Sequence, residues 1–134
     1  MKSNSVLVVD NDVEFLSFAL DFLSDGVKFN QVVTAGSSED AEQQIRICHP
    51  DIVILDLGMQ GSVEVSSLIK NIPNTPVLLI TSYYDNKDYI KLVTEMGASG
   101  FFLKDEVKTA LPKLIGFLNS DFYDLLRNNF YIMN

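Results

Sequence analysis

The sequence predicts an α/β protein with one doubly wound, parallel β-sheet of five strands and helices on both faces. Short apolar runs alternate along the chain with longer segments whose apolar residues have helical spacing. The short runs are apolar at successive positions, which is typical of parallel strands buried on both faces. The chain has 134 residues, a length that favours a single domain.

The predicted strands are too short to form stable helices, and several are rich in β-branched residues. In chain order they cover residues 5–9, 31–35, 52–55, 77–80 and 101–103. A proline stands shortly before the third strand and another directly before the fourth. Because the residue before a proline avoids helical backbone, each proline ends the preceding segment.

The segments between the strands have the periodicity of helices. Residues 13–23 are apolar nearly all round, so we expect this helix to be the most buried one. Asp12, Ser37 and Asp85 can cap helix starts. The other four helices are predicted from apolar residues at intervals of three and four, namely Ala41, Ile45 and Cys48; Val65, Leu68, Ile69 and Ile72; Ile90, Val93 and Gly97; and Leu111, Leu114, Ile115 and Leu118.

Right-handed crossovers place helices on both sheet faces, and the flavodoxin-like strand order 2-1-3-4-5 suits five strands of this size. Ligands of such a sheet bind beyond the carboxyl ends of the strands, beside strand 1. We expect residues 1–119 to form the domain and residues 120–134 to add a C-terminal helix folded on it. Alternatively, this tail is a dimer or partner surface, or the start of a linker to an output domain.

Composition narrows the function classes. The net charge is -8, which argues against direct nucleic-acid binding, because phosphate contacts need a basic surface. No apolar run approaches the roughly 20 residues of a membrane span, and no signal-peptide pattern opens the chain. The lone Cys48 cannot form an internal disulfide, which fits a reducing compartment. We therefore expect a cytoplasmic protein that binds neither nucleic acid nor membrane.

Polar side chains end four of the five predicted strands. Asp10 and Asp12 follow the first strand, Asp56 the third, Thr81 the fourth and Lys104 the fifth. Strands 1 and 3 are neighbours in the predicted order, so the carboxylates can converge, although Asp12 is also a candidate helix cap. Clustered carboxylates need a cation or protons to offset their repulsion, and hard oxygen ligands suit Mg²⁺. With a lysine and a hydroxyl beside it, one such carboxylate can accept a phosphoryl group.

Four runs of sequence resemble a known family: VLVVD at 6–10, PDIVILD at 50–56, PVLLITS at 76–82 and GASGFFLK at 97–104. In this order and spacing they resemble the receiver domain of two-component response regulators, over about residues 5–119. The resemblance implies a phosphorylation-controlled signalling switch rather than an enzyme with turnover. Its phosphoryl donor would be a sensor histidine kinase or a phosphotransfer protein.

The resemblance also implies roles for single residues. Asp56 matches the phosphoacceptor, and Lys104 matches the lysine that pairs first with the acceptor and then with the phosphate. Thr81 matches the hydroxyl that moves to the phosphate, and Phe101 matches the aromatic residue that turns inward with it. The face made of the fourth helix, fifth strand and fifth helix would then change shape. A homodimer would form through that face or through the C-terminal tail.

The metal position departs from the family pattern at one residue. By resemblance, Mg²⁺ would be held by Asp10, Asn11, Asp56 and the backbone carbonyl of Gly58, but the family has an acid where this chain has Asn11. An amide oxygen can ligate Mg²⁺ without contributing charge. This departure supports an alternative hypothesis, a degenerate receiver that acts as a phosphorylation-independent interaction module.

Tyr83 stands two positions after Thr81, and its bulk beside the acceptor is expected to slow attack by water; alternatively, it is a rim aromatic without chemistry.

A flavodoxin-type FMN carrier is a third hypothesis for this fold. It needs a hydroxyl- and glycine-rich phosphate loop after strand 1, where this chain has Asp10-Asn11-Asp12.

Overall fold

The computed structural model describes residues 5–25, 29–73, 75–83, 87–106, 109–110, 112–113 and 131–132. A 3₁₀ turn, Lys104–Glu106, follows the fifth strand. The other elements, in chain order, are β1 (Ser5–Val9), α1 (Val13–Asp25), β2 (Gln31–Ala35), α2 (Ser38–Cys48), β3 (Ile52–Asp56), α3 (Ser62–Lys70), β4 (Val77–Ser82), α4 (Lys87–Glu95), β5 (Gly100–Leu103) and β6 (Tyr131–Ile132).

The strands form one parallel sheet in the order β2-β1-β3-β4-β5-β6. The predicted order of the first five strands, 2-1-3-4-5, is thereby confirmed. The order reverses beside β1, because β2 and β3 pair with its two edges. The carboxyl ends of β1, β3, β4 and β5 therefore lie side by side at one edge of the sheet.

The short strand β6 differs from the sequence expectation. Tyr131 pairs with Gly100 and Ile132 with Phe101, in parallel register, so the backbone at these two positions is extended rather than helical. Without β6, strand β5 would be at the edge of the sheet with unpaired backbone groups, and an aromatic and a β-branched residue are residue types that favour strand pairing. The rest of the helix predicted for residues 120–134 lies outside the described residues.

Side-chain caps fix two helix starts. Asp12 Oδ1 accepts hydrogen bonds from the backbone N–H groups of Glu14 (3.0 Å) and Phe15 (3.4 Å) at the start of α1. Ser37 Oγ accepts from the N–H of Asp40 (3.1 Å) at the start of α2. Both caps were predicted from the sequence, since short polar side chains satisfy the free N–H groups of a first turn.

Two other predicted features fall partly or wholly outside the described residues. The Asp85 cap lies outside them. Of the predicted fifth helix, residues 109–110 and 112–113 have helical backbone, whereas Leu111 and the apolar positions from Leu114 to Leu118 lie outside. Within the described residues, no helix is both long and apolar enough to cross a membrane.

The core consists of two clusters, one on each face of the sheet. Alternate residues of β1 and β3 face opposite sides, as the pleat of a strand requires. The cluster under α1 contains Val6, Val8, Phe15, Ala19, Leu23, Ile52, Ile54, Val77, Leu79, Phe102 and Ala110. The cluster under α2, α3 and α4 contains Leu7, Val9, Ala35, Ala41, Ile45, Val53, Leu55, Met59, Val65, Ile69, Leu78, Ile80, Val93, Met96, Ala98 and Phe101.

The expectation that α1 is the most buried helix is wrong. Three of the thirteen residues of α1 are buried (Phe15, Ala19 and Leu23), against four of the nine residues of α3, and Val13 and Leu20 of α1 are exposed. A helix lying on one sheet face can bury only the stripe that meets the sheet. The additional apolar residues of α1 are therefore at the margin of the core or on the surface.

Candidate functional site

The carboxyl edge of the sheet brings the predicted polar residues together. Asp10 directly follows β1, Asp56 is the last residue of β3, and Lys104 directly follows β5. Thr81 of β4 is the register partner of Asp56 across the parallel pair. The expected convergence of side chains from separate strands is therefore present in the folded chain.

Lys104 joins the two carboxylates. Its Nζ lies 2.5 Å from Asp10 Oδ2 and 3.2 Å from Asp56 Oδ2. All three residues are buried, with 0% of Asp10, 6% of Asp56 and 4% of Lys104 exposed. Buried charges need partners, since leaving one of them alone in a poorly solvated site is costly. We call Asp10, Asp56 and Lys104 the acceptor cluster; two negative charges and one positive charge leave it with an excess of one negative charge.

Backbone donors orient both carboxylates of this cluster. Asp10 Oδ1 accepts from the N–H of Asp12 at 2.9 Å, and Asp56 Oδ1 accepts from the N–H of Gly58 at 3.0 Å. In each case the remaining oxygen, Oδ2, contacts Lys104. The cluster is thus held in place before any ligand arrives.

The pKa of Asp10 reflects chiefly its burial. Burial raises the pKa of Asp10, while the hydrogen bonds from Lys104 and from the Asp12 N–H lower it; the neighbouring Asp56 charge raises it further. The net effect is a pKa above the ordinary value. A further positive charge at this site would therefore be favourable.

The hydroxyl of Thr81 has no partner among the residues that the structure describes. The residue is buried, and its Oγ1 makes no hydrogen bond within the described part of the chain. A buried hydroxyl left unpaired costs about 1–3 kcal/mol. Its position opposite Asp56 in the sheet is one where an oxygen-rich ligand on that carboxylate would supply the missing partner.

Two aromatic rings enclose the ammonium of Lys104. The ring centre of Phe15 lies 5.0 Å from Nζ, and that of Tyr83 lies 4.6 Å from it. Both distances are within the range of cation–π attraction. Phe15 was predicted only as part of an apolar helix, and nothing in its local sequence indicates a contact with residue 104.

The structure decides between the two roles that the sequence left open for Asp12. One of its oxygens caps α1, and Oδ2 accepts a hydrogen bond of 2.8 Å from the Tyr83 hydroxyl. This bond lowers the pKa of Asp12 and raises the pKa of Tyr83 to about 12. Asp12 is therefore a helix cap and the partner of Tyr83, and its carboxylate has no contact with Lys104 of the kind that Asp10 makes.

The two other side chains predicted for the site, Asn11 and Phe101, are not part of the acceptor cluster. Asn11 is exposed and lines an open cleft of about 610 Å³ together with the β2–α2 connection, the first turns of α2 and the β3–α3 loop. Phe101 is buried in the core cluster under α2, α3 and α4, where it is the register partner of Ile80. Among the residues that the structure describes, no group of three or more His, Cys, Asp and Glu side chains is arranged to hold a metal.

Sequence comparison places the chain among signalling proteins. The family described as "Response regulator receiver domain" matches residues 6–116. The chain is 30% identical over 124 residues to a protein-glutamate methylesterase/protein-glutamine glutaminase of Desulfotalea psychrophila, covering 90% of this chain and 34% of that protein. It is 32% identical over 93 residues to the oxygen regulatory protein NreC of Staphylococcus carnosus, covering 66% and 41%. The chain thus spans less than half the length of these curated relatives.

Solved structures show the same fold. The signal receiver domain of a DNA-binding response regulator (merR) from Colwellia psychrerythraea superposes with a TM-score of 0.79 at 26% identity, covering 87% of this chain and 98% of that one. The isolated REC domain of RcsB from Salmonella enterica, in the apo form, superposes with a TM-score of 0.79 at 18% identity, covering 97% and 92%. At the lower identity the likeness concerns the fold alone.

Proposed function

Because the chain belongs to the response regulator receiver domain family, we propose that it is a phosphorylation-controlled switch in which Asp56 accepts a phosphoryl group. The observation that carries this proposal is the acceptor cluster, in which Lys104 contacts both Asp10 and Asp56. The Thr81 hydroxyl beside it has no partner within the described part of the chain. The donor is a phosphohistidine of a sensor histidine kinase or a phosphotransfer protein, and the reaction takes place in the cytoplasm.

The transfer step uses groups already held in the cluster. One carboxylate oxygen of Asp56 forms a bond to phosphorus while the phosphorus–nitrogen bond of the donor breaks, and the electron pair leaves with the imidazole. Lys104 then pairs with the phosphoryl oxygens, since the ammonium is a point charge on a flexible stem. The Thr81 hydroxyl donates a hydrogen bond to the same group and loses its unpaired state.

The residues present fit a magnesium ion. Mg²⁺ is commonly held by one or two carboxylates together with substrate phosphates, and Asp10 and Asp56 supply two buried carboxylates with an excess of negative charge. The Asn11 amide oxygen and the Gly58 carbonyl would complete the protein ligands. When bound, the ion neutralises charge on the phosphoryl oxygens. Asn11 in place of an acid leaves one charge fewer, so we expect weaker metal binding than a third carboxylate would give.

The signal would leave the site through the neighbouring strands. Phe101 is the register partner of Ile80, the residue before Thr81 in β4, so a shift of the β4 backbone at Thr81 would reach the Phe101 ring through Ile80. Ile90 and Leu92 of α4 are exposed. Their exposure supports the face made of the fourth helix, the fifth strand and the fifth helix as the surface for a homodimer or another partner.

The domain boundary near residue 119 also remains a proposal. The family match ends at residue 116, and β6 pairs with β5, which supports a tail folded on the domain. The tail is the second candidate for a dimer surface.

The hypothesis of a phosphorylation-independent module is not favoured. It rested on Asn11, whereas Asp56, Lys104 and Thr81 are all present and the first two are in direct contact. A chain that had lost phosphotransfer would have no need for two buried carboxylates, since buried ionic groups are often replaced by apolar ones without loss of stability.

Intact-mass measurement with acetyl phosphate and Mg²⁺ tests the proposed function. We expect a mass increase of one phosphoryl group in the wild type and none in Asp56→Asn. Asp51→Asn is the matched control, because Asp51 directly precedes the opposite end of β3 and its amide can still accept the hydrogen bond from Ser5; it should be phosphorylated like the wild type. No increase in the wild type, or an increase that survives Asp56→Asn, contradicts the proposal.

A further inference from the structure

A hydrogen bond crosses the mouth of the acceptor cluster between two loops that are distant in sequence. Tyr83 follows β4, and its hydroxyl donates to Asp12 Oδ2 at 2.8 Å. Asp12 is itself held firmly, because its other carboxylate oxygen accepts from two N–H groups in the first turn of α1. The end of β4 is thereby tied to the start of α1.

The tied ring covers the ammonium that the acceptor needs. The Tyr83 ring centre lies 4.6 Å from Lys104 Nζ, with Phe15 5.0 Å from the same atom. Lys104 is 4% exposed, whereas Tyr83 is 49% exposed. One part of the ring therefore packs on the ammonium while the rest is in solvent, as in a thin cover over a buried group.

Lys104 is in contact with both the Tyr83 ring and the acceptor Asp56. Lys104 contacts Asp56 Oδ2 at 3.2 Å, so the ring that restrains Lys104 also restrains the environment of the acceptor oxygen. A donor or a water molecule that approaches Asp56 past Lys104 must meet this ring. Movement of the ring away from the site requires the bond to Asp12 to break.

We propose that Tyr83 and Asp12 form a latch that positions Lys104 against Asp56 and limits the approach of phosphoryl donors and water. This inference rests on the proposed function of Asp56. The Tyr83 hydroxyl and its hydrogen bond to Asp12, and not only the bulk of the ring, are responsible for this restriction. Tyr83 is a positioning residue here, and the latch slows both the gain and the loss of the phosphoryl group.

Two substitutions separate the hydroxyl from the ring and from the cap. Tyr83→Phe keeps the ring over Lys104 and removes the donor. Asp12→Ser keeps a side chain that can cap α1 but is too short to reach Tyr83. Tyr89→Phe is the matched control, because it removes a tyrosine hydroxyl from α4, an element that supplies none of the site residues.

The test measures the phosphorylation rate with acetyl phosphate and Mg²⁺, and the rate of phosphate loss after the donor is removed. We expect Tyr83→Phe and Asp12→Ser each to raise both rates about three- to tenfold, the factor that corresponds to the net contribution of one typical hydrogen bond. The double variant should be no faster than the faster single variant, and Tyr89→Phe should match the wild type. Rates in Tyr83→Phe within about twofold of the wild type, or effects that multiply in the double variant, overturn the latch.

Urea unfolding distinguishes failure of the latch from failure of the proposed function. A wild type that takes up no phosphate overturns the function of Asp56, and the latch is then judged by unfolding midpoints. If Tyr83 and Asp12 are hydrogen-bonded, the urea midpoint of the double variant falls by less than the sum of the falls in the two single variants. Additive falls overturn the latch, whatever the phosphorylation result.

Discussion

The two ends of strand β3 use the same residue type in opposite ways. Asp51, directly before the strand, accepts a hydrogen bond from the N–H of Ser5 at 2.9 Å and is half-buried. Asp56, its last residue, is buried and shares the ammonium of Lys104 with Asp10. A single neutral donor is enough for the first carboxylate, whereas the second sits in a cluster with excess charge. The comparison shows that strand order, rather than residue type, gives one aspartate a single backbone donor and places the other in a buried cluster of charges.

The largest expected effect comes from removing the positive charge at the carboxyl end. In Lys104→Met, two buried carboxylates face each other without a cation, so we expect the free energy of unfolding to fall by about 3–5 kcal/mol at neutral pH and phosphorylation to be lost. Lys70→Met is the control: Lys70 is exposed and donates to the Glu95 carbonyl, so its loss should cost about 1 kcal/mol or less. Equal losses in urea unfolding would remove the distinction between the buried site and the surface.

Replacing Asp10 should separate activity from stability. Asp10→Asn removes one of two buried negative charges, so we expect the phosphorylation rate to fall at least about tenfold, or about 1.4 kcal/mol in the barrier, with stability unchanged or raised. Asp51→Asn, before the other end of β3, should leave the rate unchanged. Intact-mass kinetics and urea unfolding on the same samples provide both values. A fall in stability without a fall in rate would make Asp10 a structural residue like Asp51.

The raised pKa of Asp10 also predicts a pH dependence with a definite sign. Because the folded state holds the Asp10 proton more tightly than the unfolded state, whose pKa is near 3.8, this group contributes most stability below pH 3.8. That contribution is lost as the pH rises through the folded pKa. In metal-free buffer, the difference in unfolding free energy between wild type and Asp10→Asn should therefore shift in favour of the wild type on acidification. A difference that is constant with pH contradicts the raised pKa.

Two buried hydroxyls provide a smaller test of the difference between a side chain with a structural partner and one in the candidate site. Thr81 Oγ1 has no partner among the described residues, whereas Ser66 Oγ donates to the Val63 carbonyl at 2.7 Å. Thr81→Val should therefore leave stability unchanged or raise it by up to about 1 kcal/mol, while Ser66→Ala should lower it by about 1 kcal/mol. Thermal unfolding measures both. A clear loss in Thr81→Val would mean that the hydroxyl is already satisfied before any phosphoryl group arrives.

The smallest effect concerns the titration of Tyr83. The hydrogen bond to Asp12 raises the pKa of Tyr83 to about 12, so its bond contributes fully below the ordinary value of 10 and is lost as the pH rises through 12. The ultraviolet difference between wild type and Tyr83→Phe, recorded directly after a jump to alkaline pH, should have its midpoint near 12. A midpoint near 10 would indicate that the phenol lacks the carboxylate partner.

Local pattern accounts for much of the fold and for the acceptor cluster. Continuous apolar runs predicted the first five strands, and the polar residues at their ends predicted where Asp10, Asp56 and Lys104 meet. The reason is that parallel strands place their carboxyl ends at one edge, so that topology alone brings such residues together. The caps Asp12 and Ser37 were predictable for a similar reason, since each acts within three residues of itself.

Only the tertiary structure decided the contacts that depend on distances between remote segments. The ring of Phe15 against Lys104, the bond between Tyr83 and Asp12, and the pairing of residues 131–132 with β5 leave no periodic signal in the sequence. The incomplete burial of α1 was likewise not predictable from the sequence. An apolar side chain is buried only where another element covers it, and the sheet face covers only one stripe of the helix. Backbone hydrogen bonding and local side-chain spacing thus determine the scaffold, while side chains from different elements determine how closed the acceptor site is.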